Sequence, residues 1–414
     1  MKSNSPVGRD GIPPAQFSGI PFRSTIFRKN HVVAISIALT FLVTLACAGT
    51  AAPAVPTPAC QPNQPDAQIE AASRPYRMGF TRWPPEATLE GIARMDAFLA
   101  AHGDLTALHF DGGVPWPEAL IGDPFPDGLM TSWKSTREAI PANHSLLVSI
   151  TPLDMTRSKL ANYWSDSDNQ PLPKPWDAYP LDHPDVEKAY LNYARQVIEY
   201  FQPNYFAIGI EVNVAQVNAP ETWSAYKKLH KFIYKNLKAD YPTLPIFATF
   251  TVSHINGLDG GEEAIQKTEI ESLLPYLDLI GLSSYPFGWM YESGKADPIP
   301  EDFFAAALAF GKPLAVTESG APSYSFSAFG KNYEFTEEYQ ARWVDFLLRQ
   351  AGEHQFKFVA AFTGIDYNKL LAVFPADLRE LGMIWVYTGL ERSDGCPKRA
   401  LLVWDGYLGL PYHK

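Results

Sequence analysis

The sequence predicts an α/β protein built as a (β/α)8 TIM barrel, and two observations carry that prediction. Eight short apolar runs recur after Pro75, and segments with helical periodicity separate them. Runs that are apolar at almost every position are typical of strands covered on both faces, as in parallel sheets. No G-x-G-x-x-G loop follows the first run, which disfavours the alternative, a doubly wound open sheet.

The apolar runs give the predicted strand ends, and the stretches between them give the helices. The eight strands are predicted to end at Phe80, Phe110, Ile150, Ile210, Thr251, Ser284, Thr317 and Phe362. In the first helix Thr88 is the expected N-cap, and Leu89, Ile92, Met95 and Leu99 form one apolar stripe. The longest connection, 151–182, follows the third strand, so we expect it to form a wall of a substrate site.

The N-terminal part of the chain divides into two appendages before the barrel. Residues 1–47 have basic residues before a long apolar run that ends at Ala46 and Cys47, which predicts a lipoprotein-like export signal. An uncleaved anchor and a fully cleaved signal of a secreted protein are the alternatives. Residues 48–75 are rich in Ala and Pro and predict a disordered tether, and 76–414 are predicted to form the (β/α)8 barrel domain. Cysteine is sparse, and no disulfide framework is expected.

The charge distribution limits the classes of partner. The net charge is −11, and the first 46 residues contribute +4, which leaves −15 for the rest. An acidic body does not favour nucleic acid, and the only membrane contact that we expect is the N-terminal signal or lipid. Aromatic residues make up 13% of the chain, which is typical both of proteins that bind the flat faces of sugars and of large cores.

Two glutamates stand at predicted strand ends, where barrel enzymes place their chemistry. Glu211 follows the fourth strand and Glu318 follows the seventh. A pair of carboxyl groups across a barrel mouth is the working unit of a glycosidase, because one carboxyl donates a proton and the other attacks or stabilises positive charge. The structural alternative is that each glutamate caps a helix or pairs with an arginine on the rim.

Other residues at the strand ends are candidates for substrate contact. The histidines have an alternative role as hydrogen-bonded barrel residues, and the tryptophans as core residues. No metal-ligand spacing or phosphate loop is present, so no metal or cofactor is expected. The candidate substrate-binding residues are Trp83, His109, Asp111, Trp116, Asn213, His254, Tyr285 and Trp289.

Four stretches together resemble the clan A glycoside hydrolases, and in particular the arabinogalactan endo-β-1,4-galactanase family. They are "IGIEVN" at strand four, "DLIGLSSYPFG" at strand six, "PLAVTESGAPS" at strand seven and "TGLERSDGCPKRALLVW" near the end. The resemblance implies that Glu211 is the general acid/base, that Glu318 is the nucleophile, and that Tyr285 orients the nucleophile. One departure is Ile210, where the clan usually has the Asn that binds the sugar 2-hydroxyl; Asn213 is a candidate substitute.

The sequence therefore predicts a monomeric retaining glycoside hydrolase that acts on β-linked polysaccharide, with galactan as the substrate that the resemblance implies. The alternative, from another functional class, is a carbohydrate-binding protein on a catalytically degenerate barrel. Ile210 favours that alternative, whereas the presence of both Glu211 and Glu318 opposes it.

Overall fold

The molecule is built around a closed barrel of eight parallel strands. Each strand pairs with its neighbours along the chain, and the last strand pairs with the first, with Arg77 opposite Phe358 and Phe80 opposite Ala361. The predicted (β/α)8 barrel is confirmed, and the doubly wound alternative is excluded because the sheet closes on itself. The structure, a computed structural model, describes residues 60, 69–286, 299–328 and 330–413.

The observed strands agree with the predicted ones except at the fourth. The barrel strands are β1 (Arg77–Thr81), β2 (Leu105–Phe110), β3 (Ser145–Ile150), β4 (Tyr205–Ala207), β5 (Ile246–Thr251), β6 (Ile280–Ser284), β7 (Leu314–Ser319) and β8 (Phe358–Ala361). Seven of the eight strand ends lie within two residues of the predicted positions. Between β7 and β8 a small antiparallel hairpin pairs Phe326–Ala328 with Lys331–Tyr333.

Helices occupy the connections, and their buried faces belong to the same apolar core as the strands. Two short 3₁₀ turns, Trp176–Ala178 and Leu274–Tyr276, add to them. The α-helices are α1 (Leu89–His102), α2 (Trp116–Ile121), α3 (Asp127–Ala139), α4 (Pro184–Phe201), α5 (Val214–Asn218), α6 (Pro220–Asp240), α7 (Val252–Ile255), α8 (Glu263–Glu271), α9 (Ala305–Leu308), α10 (Glu337–Glu353), α11 (Asn368–Leu371), α12 (Ala376–Gly382) and α13 (Arg399–Leu408).

Helix α1 shows how the local sequence sets these elements. The Thr88 hydroxyl accepts a hydrogen bond from the Gly91 N–H at 2.9 Å, as expected for an N-cap. Met95 and Leu99 are buried, but Leu89 at the first turn is 65% exposed, so the apolar stripe is shorter than predicted. Helices α4, α6 and α10 each bury a longer apolar stripe, for example Val186, Tyr190 and Val197 in α4.

Strand β4 ends three residues earlier than predicted, because its backbone turns out of the sheet at Gly209. A side chain at that position would meet the Tyr226 hydroxyl at 2.2 Å, so the close approach requires glycine. The segment still bonds to β5: Ile208 N–H donates to the Phe247 carbonyl, and Thr249 N–H donates to the Gly209 carbonyl. Glu211 therefore follows an irregular segment and not a regular strand.

The C-terminal end of the predicted tether is attached to the barrel, which corrects the predicted boundary at residue 75. Arg74 is 5% exposed, forms an ion pair of 2.7 Å with Asp104, and pairs with Tyr412. Cys60 forms a disulfide with Cys396 across 336 residues, a single bond that the sparse cysteines did not indicate. Cys47 and the rest of 1–59 lie outside the described residues. Within the described part, no helix is long and apolar enough to cross a membrane.

Candidate active site

Glu211 lies just beyond β4 in a left-handed backbone conformation. Its φ is +48°, which is uncommon for a residue other than glycine and costs about 1–2 kcal/mol. The backbone is held there by a 2.7 Å hydrogen bond from the Glu211 N–H to the Thr249 hydroxyl on β5. The surroundings therefore impose a strained conformation on a carboxylate at the barrel mouth, and such strain is concentrated at functional sites.

The Glu211 carboxylate has a polar neighbour at each oxygen. The Ser283 hydroxyl, at the end of β6, donates to Oε1 at 2.7 Å. The Arg157 guanidinium lies near the other oxygen, with 3.5 Å between Nη2 and Oε2. The carboxylate keeps 28% of its surface exposed, so it is oriented by these neighbours and still open to a ligand.

Glu318 lies near the end of β7 and is held by residues from two other strands. The Tyr285 hydroxyl, just after β6, donates to Oε2 at 3.1 Å. His109 at the end of β2 places Nε2 at 3.7 Å from Oε1. Ser283 is the sheet neighbour of Glu318 and also the donor to Glu211. Residues at the end of β6 thus contact both carboxyl groups.

The two glutamates interact electrostatically. Burial raises the pKa of Glu318 to about 8, and the charge of Glu211 acts in the same direction. The Tyr285 hydrogen bond and the Arg157 charge oppose this rise. Because burial and the Glu211 charge both disfavour the ionised form of Glu318, the two glutamates together retain a proton near neutral pH.

Three further predicted residues lie in the same site. Burial lowers the pKa of His109 to about 4, so this imidazole is neutral at pH 7. Burial raises the pKa of Asp111, as does Glu211, whereas Arg157 lowers it. His254 on α7 is 7% exposed, and burial lowers its pKa against the charges of Asp259 and Glu211.

Trp83 and Glu318 line one cavity of about 480 Å³, and its other walls are largely aromatic and aliphatic. Trp83 packs against Phe362, with ring centroids 5.5 Å apart. Trp164 and Asp168 of the connection 151–182 also line this cavity. The long connection therefore forms part of the wall of this cavity, and its contact with a substrate stays a prediction.

Two predicted substrate contacts are wrong. Asn213 is fully buried: its Oδ1 accepts from the Thr251 N–H, and its Nδ2 donates to the Thr251 carbonyl and to Gln266. Its side chain therefore holds the β4 and β5 connections together and does not replace the absent asparagine at Ile210. Trp116 is also fully buried, stacked on Trp176 with a centroid distance of 5.5 Å. The third, Trp289, lies outside the described residues.

Three residues of the site were not identified from the sequence. Arg157 and Asp168 lie in the connection 151–182, where only the length of the loop gave a signal. Burial raises the pKa of Asp168 to about 7, and the Asp111 carboxylate acts in the same direction. Ser283 lies in the quoted "GLSSYPFG" stretch, where its position two residues before Tyr285 was the available signal.

No protein-family model matches this chain, and no curated protein matches it. Solved structures do. A variant of a GH5_18 enzyme from Streptomyces cattleya, in complex with Manβ1-4GlcNAc, superposes with a TM-score of 0.57 at 16% identity, over 81% of this chain and 82% of that chain. An exo-β-1,4-mannosidase from Opitutaceae bacterium strain TAV5 superposes with a TM-score of 0.54 at 14% identity, over 82% and 60% respectively.

The catalytic domain of a GH53 protein from Ignisphaera aggregans gives a TM-score of 0.49 at 17% identity, over 77% of this chain and 88% of that chain. At this similarity the specific resemblance to galactanases stays a prediction. The resemblance to clan A glycoside hydrolases is confirmed at the level of the fold. The chain has the closed (β/α)8 barrel that these β-glycoside hydrolases share.

Proposed function

We propose that this protein is a retaining glycoside hydrolase that cleaves β-linked polysaccharide, with Glu211 as the general acid/base and Glu318 as the nucleophile. One observation carries the proposal: two interacting carboxyl groups lie at the C-terminal ends of β4 and β7, and each is held by a hydroxyl from β6 or its end. A pair of this kind at the catalytic face of a barrel is the unit that a double displacement requires.

In the first step the Glu318 carboxylate attacks the anomeric carbon while Glu211 gives its proton to the leaving oxygen. In the second step Glu211 takes a proton from water, and the water oxygen displaces Glu318. Burial raises the pKa of Glu318 and so favours the form with the proton on Glu318, whereas the productive form has the proton on Glu211 and the charge on Glu318. Tyr285 favours that form because its hydroxyl donates to the ionised Glu318.

The substrate is proposed as a β-linked polysaccharide, and galactan is the expectation from the sequence motifs. The neighbours named above include a β-1,4-mannosidase and a complex with Manβ1-4GlcNAc. A hydrolysis screen should therefore contain galactan, β-mannan and β-glucan. Retention predicts that the first product has the β configuration at its new reducing end, which proton NMR of the early reaction measures.

A substrate with a good leaving group distinguishes the roles of the two glutamates, because its cleavage needs the nucleophile but little protonation. Glu318→Ala should abolish turnover of a 2,4-dinitrophenyl β-glycoside, because no covalent intermediate can form. Glu211→Ala should retain the first step with this leaving group, which needs little protonation. Added azide should then accelerate turnover of the Glu211 variant and give a β-glycosyl azide. Near-normal activity of the Glu318 variant would contradict the assignment.

A second candidate function is a carbohydrate-binding protein on a degenerate barrel. The observation that favours it is the buried, apolar Ile210 together with the inward-turned Asn213, which leaves neither residue to bind the sugar 2-hydroxyl. Binding of a glycan by the unaltered chain, without cleavage at high protein concentration over days, would support this function over the hydrolase.

Export with lipid attachment at Cys47 is also proposed. The Cys60–Cys396 disulfide supports export, because such bonds persist mainly in oxidising compartments outside the cytosol. Fractionation and mass spectrometry of the mature N-terminus test the proposal. A mature chain that begins well after Cys47 and carries no lipid would contradict it.

A further inference from the structure

Arg157 is a charged side chain inside the candidate site to which no role has yet been assigned. It belongs to the connection after β3, and only 4% of it is exposed. Its backbone is left-handed, with φ +55°. The loop around it is held independently by Asp154, whose Oδ1 accepts from the N–H groups of Ser158 and Lys159. The Asp154 side chain thus fixes the loop through hydrogen bonds that do not involve the guanidinium.

The described residues use only part of the hydrogen-bonding capacity of this guanidinium. An arginine has five N–H donors. Nη1 donates to the Asp154 carbonyl at 3.0 Å, whereas the buried Nε has no hydrogen-bond partner among the described residues. Nη2 lies 3.5 Å from the Glu211 carboxylate, which is longer than a normal hydrogen bond. A buried donor without an acceptor is costly, so an acceptor from a ligand is the simplest completion.

The residues next to Glu211 in the chain offer no hydrogen-bond donor to a bound sugar. Ile210 has no polar side-chain atom, and the amide of Asn213 is occupied by Thr251 and Gln266. Arg157, in contrast, acts electrostatically on Glu318 and lies beside Glu211. A donor that sits next to both carboxyl groups is close to the anomeric carbon on which they act. The hydroxyl on the adjacent ring carbon is therefore the acceptor within its reach.

The charges around Arg157 indicate the kind of sugar. The guanidinium lies 3.5 Å from the Glu211 carboxylate and acts electrostatically on Asp111 and Glu318. The one negative charge that the two glutamates keep near neutral pH already balances the guanidinium, and it would repel an anionic sugar. A hydroxyl accepts the same hydrogen bond without adding negative charge.

We propose that Arg157 is a substrate-binding residue that donates a hydrogen bond to the 2-hydroxyl of a neutral sugar bound between Glu211 and Glu318. This inference rests on the proposed function, since it assumes a glycoside in that position. It assigns to a loop residue the contact that the sequence lacks at Ile210.

A cycle that combines one protein change with one substrate change tests the contact. The probes are the 2,4-dinitrophenyl β-glycoside that the unaltered protein cleaves best and its 2-deoxy analogue. For the unaltered protein we expect removal of the hydroxyl to lower kcat/KM by about 10-fold to 100-fold, the range for a hydrogen bond to a charged group. For Arg157→Met the same removal should cost less than about 3-fold, because the partner is already absent.

The controls separate this contact from a structural effect. Arg195→Met removes a surface arginine whose ion pair with Asp240 is 35–40% exposed, and it should leave the discrimination unchanged. Arg157→Lys keeps the charge without the planar fork, and we expect it to restore only part of the discrimination. If Arg157→Met lowers kcat/KM for both substrates by the same factor, the proposed contact does not exist.

A β-glucuronide, whose sugar carries a carboxylate, tests the proposal that the bound sugar is neutral. We expect the unaltered protein to cleave 2,4-dinitrophenyl β-glucoside, galactoside or mannoside at least 100-fold better than the β-glucuronide. A glucuronide cleaved equally well or better would overturn the neutral-sugar assignment and would indicate that Arg157 pairs with a carboxylate.

The proposed function and this inference fail in different ways. If no glycoside of this set is cleaved, the hydrolase proposal fails, and Arg157 is then tested by binding of the neutral glycono-1,5-lactones, followed by tryptophan fluorescence. Arg157→Met should weaken that binding at least fivefold relative to Arg195→Met. Equal affinities of the two variants, or no binding to the unaltered protein, would overturn the inference.

Discussion

Replacement of Tyr285 by Phe tests how the charge is divided between the two glutamates. The change removes one hydrogen bond, from the Tyr285 hydroxyl to Glu318 Oε2 at 3.1 Å, and leaves the ring in place. That bond lowers the pKa of Glu318, so its loss must raise the pKa. Glu318, the proposed nucleophile, must be ionised to attack. In the variant a larger fraction of the molecules therefore carries the proton on Glu318 and is inactive.

The size of the effect follows from the strength and exposure of the bond. A hydrogen bond to a charged group contributes about 1.5–3 kcal/mol, and 1.36 kcal/mol corresponds to one pKa unit. Glu318 is 20% exposed, so water replaces part of the lost bond and the lower end of the range applies. We expect the pKa of Glu318 to rise by about 1, with a roughly tenfold lower kcat/KM near neutral pH.

The assay is the pH dependence of kcat/KM between pH 5 and 10 with an aryl β-glycoside. In the unaltered protein the rate should fall above about pH 8, as the pair loses its last proton. In Tyr285→Phe this fall should begin about one pH unit higher, and the plateau should be lower. Tyr407→Phe is the matched control, because its hydroxyl bonds to Asp345 on α10, outside the site. Superimposable profiles for Tyr285→Phe and the unaltered protein would refute the reasoning.

Three further predictions concern other contacts. Ser283→Ala removes the 2.7 Å hydrogen bond to Glu211 and should lower kcat/KM about tenfold with little change in KM; an unchanged kcat would count against an orienting role. Lys398→Met leaves Asp366 buried without its partner, where side-chain exposures are 0% and 4%, and should cost about 3–5 kcal/mol of unfolding free energy in urea titrations; adding Asp366→Asn should recover part of that loss, and additive losses would contradict the pairing. Cys396→Ser opens the disulfide to Cys60 and should cost about 2–4 kcal/mol, read as a lower Tm that reductant no longer changes; a Tm equal to that of the oxidised unaltered protein would show that the bond does not stabilise the fold.

The barrel and its two glutamates were predictable because the signals for them are local. Period and apolar content over a few residues identify a buried strand or an amphipathic helix. Once eight such strands alternate with helices, closure brings their C-terminal ends to one face. Glu211 and Glu318 follow strands four and seven in the chain, so their meeting followed from the fold class alone.

Only the tertiary structure decided where the side chains beyond the strand ends point and what they contact. The turn at Gly209 and the left-handed Glu211 direct Asn213 away from the mouth, toward Thr251 and Gln266. The stretch "IGIEVN" cannot predict the direction of the Asn213 side chain, because its hydrogen-bond partners lie 38 and 53 residues away in the chain.

The same reason explains the roles of Arg157 and Cys60. Arg157 lies in an irregular connection, where no periodicity indicates which residue turns inward. Cys60 bonds to a residue 336 positions away, and spacing alone cannot identify such a partner. The sequence by itself determined the barrel and the placement of Glu211 and Glu318 at its strand ends. The tertiary structure determined their donors and charges, because those depend on contacts between segments that are distant along the chain.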